Sequence, residues 1–266
     1  MTRANDATTL HLLGGPRVVS RGRQIGLPEG SKRLVAYVAL HGRRVERRCL
    51  AEALWPGLDQ HRAAGNLRSA VWRLGGCQVR VLLAEPTTIR LHRDVRVDVD
   101  DVCSWAQRVT AGRAGRRDLA MAPMALEALD LLPGWYDDWV DDQRERLRIT
   151  LLQAIDALAS VLVRENRCAE AVEAALAAVS VEPLRESAQR ALIEAHIAEG
   201  NRCEAWRSYA SYDRMLVREL GIHPSGDLLR LLRLERDEVQ RDAAIGLRSA
   251  AGASSLRTWA ATSAAS

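Results

Sequence analysis

An internal repeat in the second half of the chain constrains the fold more than any other feature. The stretch Asn166–Cys168 recurs 35 residues later as Asn201–Cys203, and Glu170–Ala171 recurs as Glu204–Ala205 at an offset of 34 residues. That offset is the period of a tetratricopeptide helix–turn–helix unit. Such units bury their apolar faces only against neighbouring units, and the array presents a concave surface to a partner. The repeat therefore predicts an all-helical domain whose role is binding rather than catalysis.

The two parts of the chain differ in charge. Residues 1–100 carry 17 Lys/Arg against 9 Asp/Glu, a net charge of +8, whereas residues 101–266 carry 21 against 25, a net charge of −4. An excess of basic residues attracts polyanions such as nucleic acids. The chain is long enough for two domains with a core in each. We expect only the first of them to bind a polyanion.

The pattern of the first hundred residues predicts a sheet, three helices and a hairpin, in that order, which is the order of a winged helix. Short β-suited runs separated by glycines predict a small antiparallel sheet. Apolar residues at helical spacing predict the helices, and Ser31 is positioned to cap the first of them. The predicted strands cover residues 8–13, 16–20 and 24–27, the helices 31–41, 46–55 and 60–74, and the hairpin strands 78–84 and 88–91.

Helix 60–74 carries side chains suited to DNA. At about 100° per residue its apolar residues, Leu67 and Leu74 among them, fall within one sector. Arginine, asparagine and serine side chains form hydrogen bonds with base edges and phosphates in a major groove. A merely solvated helix face is the alternative interpretation, and the winged-helix pattern around it favours DNA. The sector opposite the apolar one holds Arg62, Asn66, Ser69 and Arg73.

Three aromatic residues, Trp135, Tyr136 and Trp139, lie at the start of a long predicted helix over residues 138–164. They could form an aromatic box for a ligand. Aromatic residues at the junction of structural elements more often pack, because they bury a large apolar area. We therefore expect them to pack the helical repeats against the winged helix.

Four common motifs of catalysis, phosphate binding and metal binding are absent from the sequence. It has no phosphate-binding loop, no nucleophile elbow, no zinc-protease motif and no kinase signature. Its six histidines occur singly, and its five cysteines include no CxxC pair. No segment approaches the roughly 18 uninterrupted apolar residues of a membrane span, and the N-terminus lacks the apolar stretch of a secretory signal. These features predict a cytoplasmic protein that is not an enzyme and needs no cofactor, metal or membrane.

Both halves of the chain resemble one bacterial family. Leu50–Pro56 and Arg62–Leu74 are similar to helices of the Streptomyces antibiotic regulatory proteins, in which the third helix of the winged helix enters DNA. Leu131–Val140, Glu182–Ser187 and Glu219–Ser225 resemble the bacterial transcriptional activator domain that follows in this family. The resemblance implies control of transcription, activation above all, with two protomers side by side on the DNA.

The chain departs from the family pattern at the end of the third helix. The family usually continues this helix with further arginine and leucine positions, whereas Gly75–Gly76 is expected to end it here. Trp72 stands where a small polar residue is common. Both departures affect the strength and sequence preference of the DNA binding that the resemblance implies, but not the fold.

The sequence thus predicts a mainly α protein, with an N-terminal winged helix-turn-helix of the response-regulator effector type. An all-α, tetratricopeptide-like domain follows it. The predicted ranges are residues 8–98 for the winged helix, 99–245 for the activator domain and 246–266 for a disordered tail.

The predicted function is a DNA-binding transcriptional regulator whose helical domain contacts RNA polymerase or a second protomer. Its partner is double-stranded DNA, on which it forms a homodimer. The alternative is a signalling scaffold that binds a peptide or small effector and carries a degenerate winged helix. Arg62, Asn66, Ser69 and Arg73 are predicted to contact bases. Residues predicted to contact phosphates, which supply affinity without sequence information, are Lys32, Arg33, Arg43, Arg47, Arg48, Arg68 and Arg80.

Overall fold

A computed structural model describes three stretches of the chain, residues 8–77, 79–120 and 130–233. The predicted disordered tail, 246–266, lies outside them. The chain divides into two compact units, each with its own apolar core.

The first unit ends at Leu158 and the second begins at Ala159. The division therefore lies inside one long helix and not at the predicted boundary of the winged helix. The domain ranges 8–98 and 99–245 stay predictions about which part of the chain folds and acts as a module.

Short strands and helices alternate in the first unit, as the sequence predicts, with two strands that the sequence pattern did not reveal. These are β4, which precedes the second helix, and β7, which precedes the fourth. In chain order the elements are β1 (Thr8–His11), β2 (Arg17–Ser20), β3 (Arg23–Ile25), α1 (Glu29–Leu40), β4 (Arg44–Glu46), α2 (Arg47–Leu54), α3 (Gln60–Gly75), β5 (Leu82–Ala84), β6 (Thr88–Leu91), β7 (Val95–Val97), α4 (Asp98–Thr110) and α5 (Asp138–Arg164).

The strands form two small sheets. In the first, with the order β3-β2-β1-β7, Thr8 pairs antiparallel with Ser20 of β2 and in parallel with Val95 of β7. The predicted antiparallel sheet is thus correct for β1 to β3 and incomplete, because β7 adds a parallel strand. In the second sheet, with the order β4-β6-β5, Val45 and Ala84 flank Ile89 of β6. This second sheet contains the predicted hairpin, the wing.

Helices α1, α2 and α3 pack their apolar stripes against one another, and α1 and α2 also pack against the second sheet. Leu34, Leu50, Leu54 and Leu67 are all almost fully buried, and burying a leucine side chain contributes about 1.5–3 kcal/mol. The expectation that Ser31 caps α1 is wrong. The helix begins two residues earlier, after Pro28, and the buried Ser31 hydroxyl donates a hydrogen bond of 2.8 Å to the carbonyl of Ala70 in α3. At a cap position this hydroxyl would lie outside the core. In the structure it is buried with a hydrogen-bond partner, and this hydrogen bond joins α1 to α3.

The second unit consists of helices that pack against their chain neighbours. The long helix α5 has the predicted bounds, 138–164, and the repeated sequence lies at the starts of α6 and α8, where equivalent helices begin. The Tyr212 hydroxyl donates to the carbonyl of Leu184 at 3.1 Å within the core of this unit. The predicted fold class, a winged helix followed by all-α repeats, is confirmed. The helices are α6 (Cys168–Val181), α7 (Glu186–Ala198), α8 (Arg202–Leu220) and α9 (residues 226–233).

Candidate nucleic-acid interface

Helix α3 presents one apolar face to the core and one polar face to solvent. Asp59 caps it by accepting a hydrogen bond of 2.9 Å from the backbone N–H of Arg62, and this arrangement fixes where the helix begins. Ala63, Leu67 and Ala70 are buried at helical spacing. The four residues predicted to contact bases lie together on the opposite, exposed face: Arg62, Asn66, Ser69 and Arg73.

Three of these side chains have contacts within the protein. Arg62 forms a surface ion pair of 3.3 Å with Asp59, and Ser69 donates to the carbonyl of Gly65 at 3.1 Å. The guanidinium of Arg73 lies against Gly30 at the start of α1, so closely that a Cβ atom at Gly30 would overlap with its Nη1. Arg73 therefore rests beside α1, where the flexibility of its side chain allows it to swing toward a ligand.

The residues predicted to contact phosphates fall into different surroundings. Arg47, Arg48 and Arg68 line one groove of about 510 Å³ between α2 and α3, together with the apolar side chains of Leu58 and Pro86. Within this groove Arg48 pairs with Glu52 at 2.9 Å, and Arg47 donates to the carbonyl of Glu85 at 2.9 Å. In the described part of the chain, Arg68 has no ion-pair partner.

Arg33 and Arg43 occupy positions of another kind. Arg33 forms an ion pair with Asp137, and Arg43 forms one with Asp100 at the start of α4. Lys32 pairs at 2.5 Å with Glu29 on its own helix. The guanidinium groups of Arg33 and Arg43 thus bind carboxylates of the protein, so phosphate contact would require them to exchange partners.

The turn of the wing is held by Glu85, a residue that the sequence analysis did not select. Its carboxylate accepts hydrogen bonds of 2.7 Å from Thr88, 2.7 Å from Arg90 and 3.1 Å from Arg44. The Thr88 hydroxyl and the Arg90 guanidinium lower the pKa of Glu85 below its ordinary value, so it stays ionised. Glu85 therefore holds the side chains of Arg44 and Arg90 in place. These two arginines are far apart in the sequence and become neighbours because β4 pairs with β6.

A second basic group lines a cavity of about 1350 Å³ beside the end of α3, and the sequence indicated only two of its four arginines. Arg73 and Arg80, both predicted contacts, share its wall with Arg21 and Arg23 of the first hairpin. Among the residues that the structure describes, the side chains of Arg23 and Arg80 have no ion-pair or hydrogen-bond partner. The concentration of cations makes this end of α3 electropositive and suited to phosphate groups.

Comparison with known protein families assigns the second half of the chain. Residues 104–234 match the family model of the bacterial transcriptional activator domain. This stretch is a bacterial transcriptional activator domain. The match confirms the predicted domain type and includes the end of α4, the long helix α5 and the helices of the second unit.

Both parts of the chain align with related proteins. The chain is 29% identical over 236 residues to the regulatory protein AfsR of Streptomyces griseus and 27% identical over 241 residues to AfsR of Streptomyces coelicolor. These alignments cover 82% and 86% of this chain but only 23% and 24% of the relatives. The chain therefore spans about a quarter of their length. The matches confirm the resemblance to the Streptomyces antibiotic regulatory proteins.

A solved structure has the same fold. Mycobacterium tuberculosis EmbR, solved in complex with a low affinity phosphopeptide, matches with a TM-score of 0.67 and 22% sequence identity. The match covers 87% of this chain and 65% of the EmbR chain. It supports the arrangement of a winged helix followed by a helical activator domain.

The winged helix is fastened to the first part of the activator domain by aromatic rings. Tyr37 and His41 of α1 stack with their ring centroids 3.8 Å apart, and both meet the edge of Trp139 in α5. Trp135 packs against Trp139 in turn. The packing expected of these aromatic residues is therefore observed for Trp135 and Trp139, but Tyr136 is 89% exposed and does not take part.

The backbone reinforces this attachment. Leu12 and Leu132 are joined by a backbone hydrogen bond of 3.0 Å, and the N–H of Leu12 also donates to the carboxylate of Asp98 at 3.0 Å. His41 donates through Nδ1 to the carbonyl of Tyr37 at 2.9 Å and accepts at Nε2 from Gln143 at 3.4 Å. The helices of the winged helix and the start of the activator domain are thus parts of one compact unit.

No group of three His, Cys, Asp or Glu side chains is placed to hold a metal ion within the described residues. The helices of that part of the chain are also too short or too polar to cross a membrane.

Proposed function

We propose that this protein is a DNA-binding transcriptional regulator, and that it acts as an activator in the cytoplasm. The observation that carries the proposal is the face of α3 opposite the core. There Arg62, Asn66, Ser69 and Arg73 are all exposed on one side of a capped helix. A helix of this kind fits the major groove, where such side chains distinguish base pairs by the donors and acceptors on their edges.

The surrounding arginines supply affinity in the proposal. Arg47, Arg48 and Arg68 line the groove on one side of α3, and Arg80 lies beside the other end of the helix. Contacts of this kind to phosphates position a protein on DNA without reading its sequence. The net charge of +8 over residues 1–100 supports the same role.

The activator domain has a separate role in the proposal. It contacts RNA polymerase or a second protomer once the winged helix has bound its site, and it has no catalytic role. The activator-domain match and the similarity to AfsR support this division of labour. Two protomers on adjacent sites would also supply the specificity that one winged helix lacks, since a single module covers a short stretch of DNA.

A salt titration of binding to random duplex DNA tests the proposal. If about five phosphates are neutralised, the slope of log affinity against log salt concentration should be about −4 to −5. A slope near zero would contradict the proposal and favour the scaffold with a degenerate winged helix. Arg68→Ala should lower the magnitude of the slope by about one, whereas Arg207→Ala, at an exposed site in α8, should leave it unchanged.

A further inference from the structure

The polar face of α3 contains one large apolar side chain. Trp72 is 81% exposed, more than any other tryptophan that the structure describes. The next most exposed, Trp206 in α8, is 39% exposed and packs edge-on against Tyr209. An isolated, solvated indole in the middle of a charged surface leaves a large apolar area in water, and such areas mark contact sites.

The helix geometry explains why the Trp72 ring has no intramolecular cover. Gly65, seven residues earlier, lies on the same side of α3, and Gly75 and Gly76, three and four residues later, end the helix. None of these glycines has a side chain to shield the ring. Its other neighbours on this side are Arg68 and Ser69, one turn earlier. Both of these are exposed and polar.

The charges around Trp72 indicate the kind of partner that covers it. Arg68, Arg62 and Arg73 are all exposed on the same helix, so an apolar protein surface would have to desolvate these cations. A polyanion would neutralise them instead. The partner that satisfies both the arginines and the indole is therefore duplex DNA with an apolar group in its major groove.

The major groove offers one such group, the C5-methyl of thymine. We propose that Trp72 packs against thymine C5-methyl groups and so makes the chain select thymine next to the bases read by its polar neighbours. The proposal rests on the proposed function, since it requires α3 to lie in the groove.

The position of Trp72 along the helix limits where the thymine lies. At a rise of about 1.5 Å per residue, Trp72 is about 1.5 Å from Arg73 and about 4.5 Å from Ser69 along the axis of α3. Base pairs are about 3.4 Å apart along one strand. The selected thymine should therefore lie within one or two base pairs of those contacted by Ser69 or Arg73.

The test replaces thymine by uracil, which has the same hydrogen-bonding edge but lacks the methyl group. Duplexes that bind the full wild-type chain are first selected from a random library, and each thymine of the selected site is then changed singly to uracil. Wild type should lose about fourfold in affinity or more at one or two thymines, the amount expected for one buried methyl group. Trp72→Ala should bind the thymine and uracil duplexes equally, and Trp72→Phe should keep part of the preference.

The controls separate the possible results. Trp206→Ala removes an exposed tryptophan outside the winged helix and should keep the full preference for thymine. A wild-type chain that binds DNA with no uracil effect, or a Trp72→Ala variant with an undiminished one, would overturn this proposal alone. Absence of DNA binding by wild type at low salt would overturn the proposed function and this proposal with it. Unchanged melting temperatures would confirm that the variants are folded.

Discussion

Arg43 donates through its guanidinium to the carboxylate of Asp100, which lies 57 residues further along the chain, and the Nε–Oδ2 distance is 3.1 Å. The same guanidinium donates to the carbonyl of Val95 at 3.4 Å. Arg43 precedes β4 and has a left-handed backbone with φ of 65°, whereas Asp100 belongs to the first turn of α4. The pair thus ties the second sheet, at the start of β4, to helix α4, which leads into the activator domain.

This pairing leads to a prediction that separates structural from DNA-binding arginines. Arg43→Ala should lower the free energy of unfolding by about 1 kcal/mol, a modest amount because both side chains are partly solvated. Asp100→Ala should cost a similar amount, and the double variant should cost less than the sum of the two. Chemical denaturation of the four proteins measures the coupling.

Salt titrations of Arg43→Ala and Arg68→Ala should distinguish the roles of these two arginines on DNA. Arg68→Ala should reduce the salt slope of binding and leave stability unchanged, since Arg68 has no ion-pair partner in the described part of the protein. If Arg43→Ala also reduced the slope by about one, Arg43 would exchange Asp100 for a phosphate on DNA, in agreement with the phosphate contact that the sequence predicts.

The second prediction concerns base recognition by α3. Replacing Asn66 or Arg73 with alanine should cost about 1–3 kcal/mol on the best site and flatten the preference at one base position. Selection from a random library with each variant measures that preference. Equal losses on specific and random duplexes would assign the two side chains to the DNA backbone.

The outer face of α3 and the bounds of α5 could be predicted from the sequence, because a helical period is local. Pairings between distant residues could not. Thr8 pairs in parallel with Val95, and no short pattern indicates which of many strands is its neighbour. In the sequence, Arg43 likewise has no sign of a partner, because Asp100 is distant along the chain and only the fold places the two residues together.

The third prediction concerns pH. Burial lowers the pKa of His41 below its ordinary value of 6.5, and the nearby Arg146 lowers it further, while its hydrogen bond to Tyr37 and the charge of Asp142 oppose the shift. The unfolded chain therefore binds a proton at a higher pH than the folded chain does. Stability should fall as the pH drops below 6.5 and level off once the folded form is also protonated.

The variant His41→Phe isolates this effect, because it keeps a ring against Tyr37 and Trp139 but cannot be protonated. The unfolding free energy of wild type, measured relative to that of the variant, should fall from pH 7.5 to pH 5. A difference that is constant over this range would show that His41 does not contribute to the acid sensitivity.

The fourth prediction tests the core of the activator domain. Tyr212 is buried, and its hydroxyl donates to the carbonyl of Leu184. Tyr212→Ala should cost about 3–5 kcal/mol through the cavity it creates, and Tyr212→Phe about 1 kcal/mol through the lost hydrogen bond. The exposed Tyr136 serves as the control, since Tyr136→Ala should change stability by less than about 0.5 kcal/mol. Unfolding followed by helical circular dichroism measures all three variants.

The last prediction joins the two functional parts. We expect two protomers on adjacent half-sites about one helical turn apart, because one winged helix reads too short a site for high specificity. The family resemblance implies a direct rather than an inverted repeat.

A truncated chain tests this expectation. The truncation should end at Leu158 and not within 131–138, since Leu132 and Trp139 pack against the winged helix. Such a chain keeps the whole first unit but lacks the helices α6 to α9. It should bind DNA weakly and without sequence preference, and it should fail to activate transcription from a promoter that responds to the full chain. Footprinting that found one half-site occupied alone, together with full activation by the truncated chain, would refute both the pairing of protomers and the recruiting role of the activator domain.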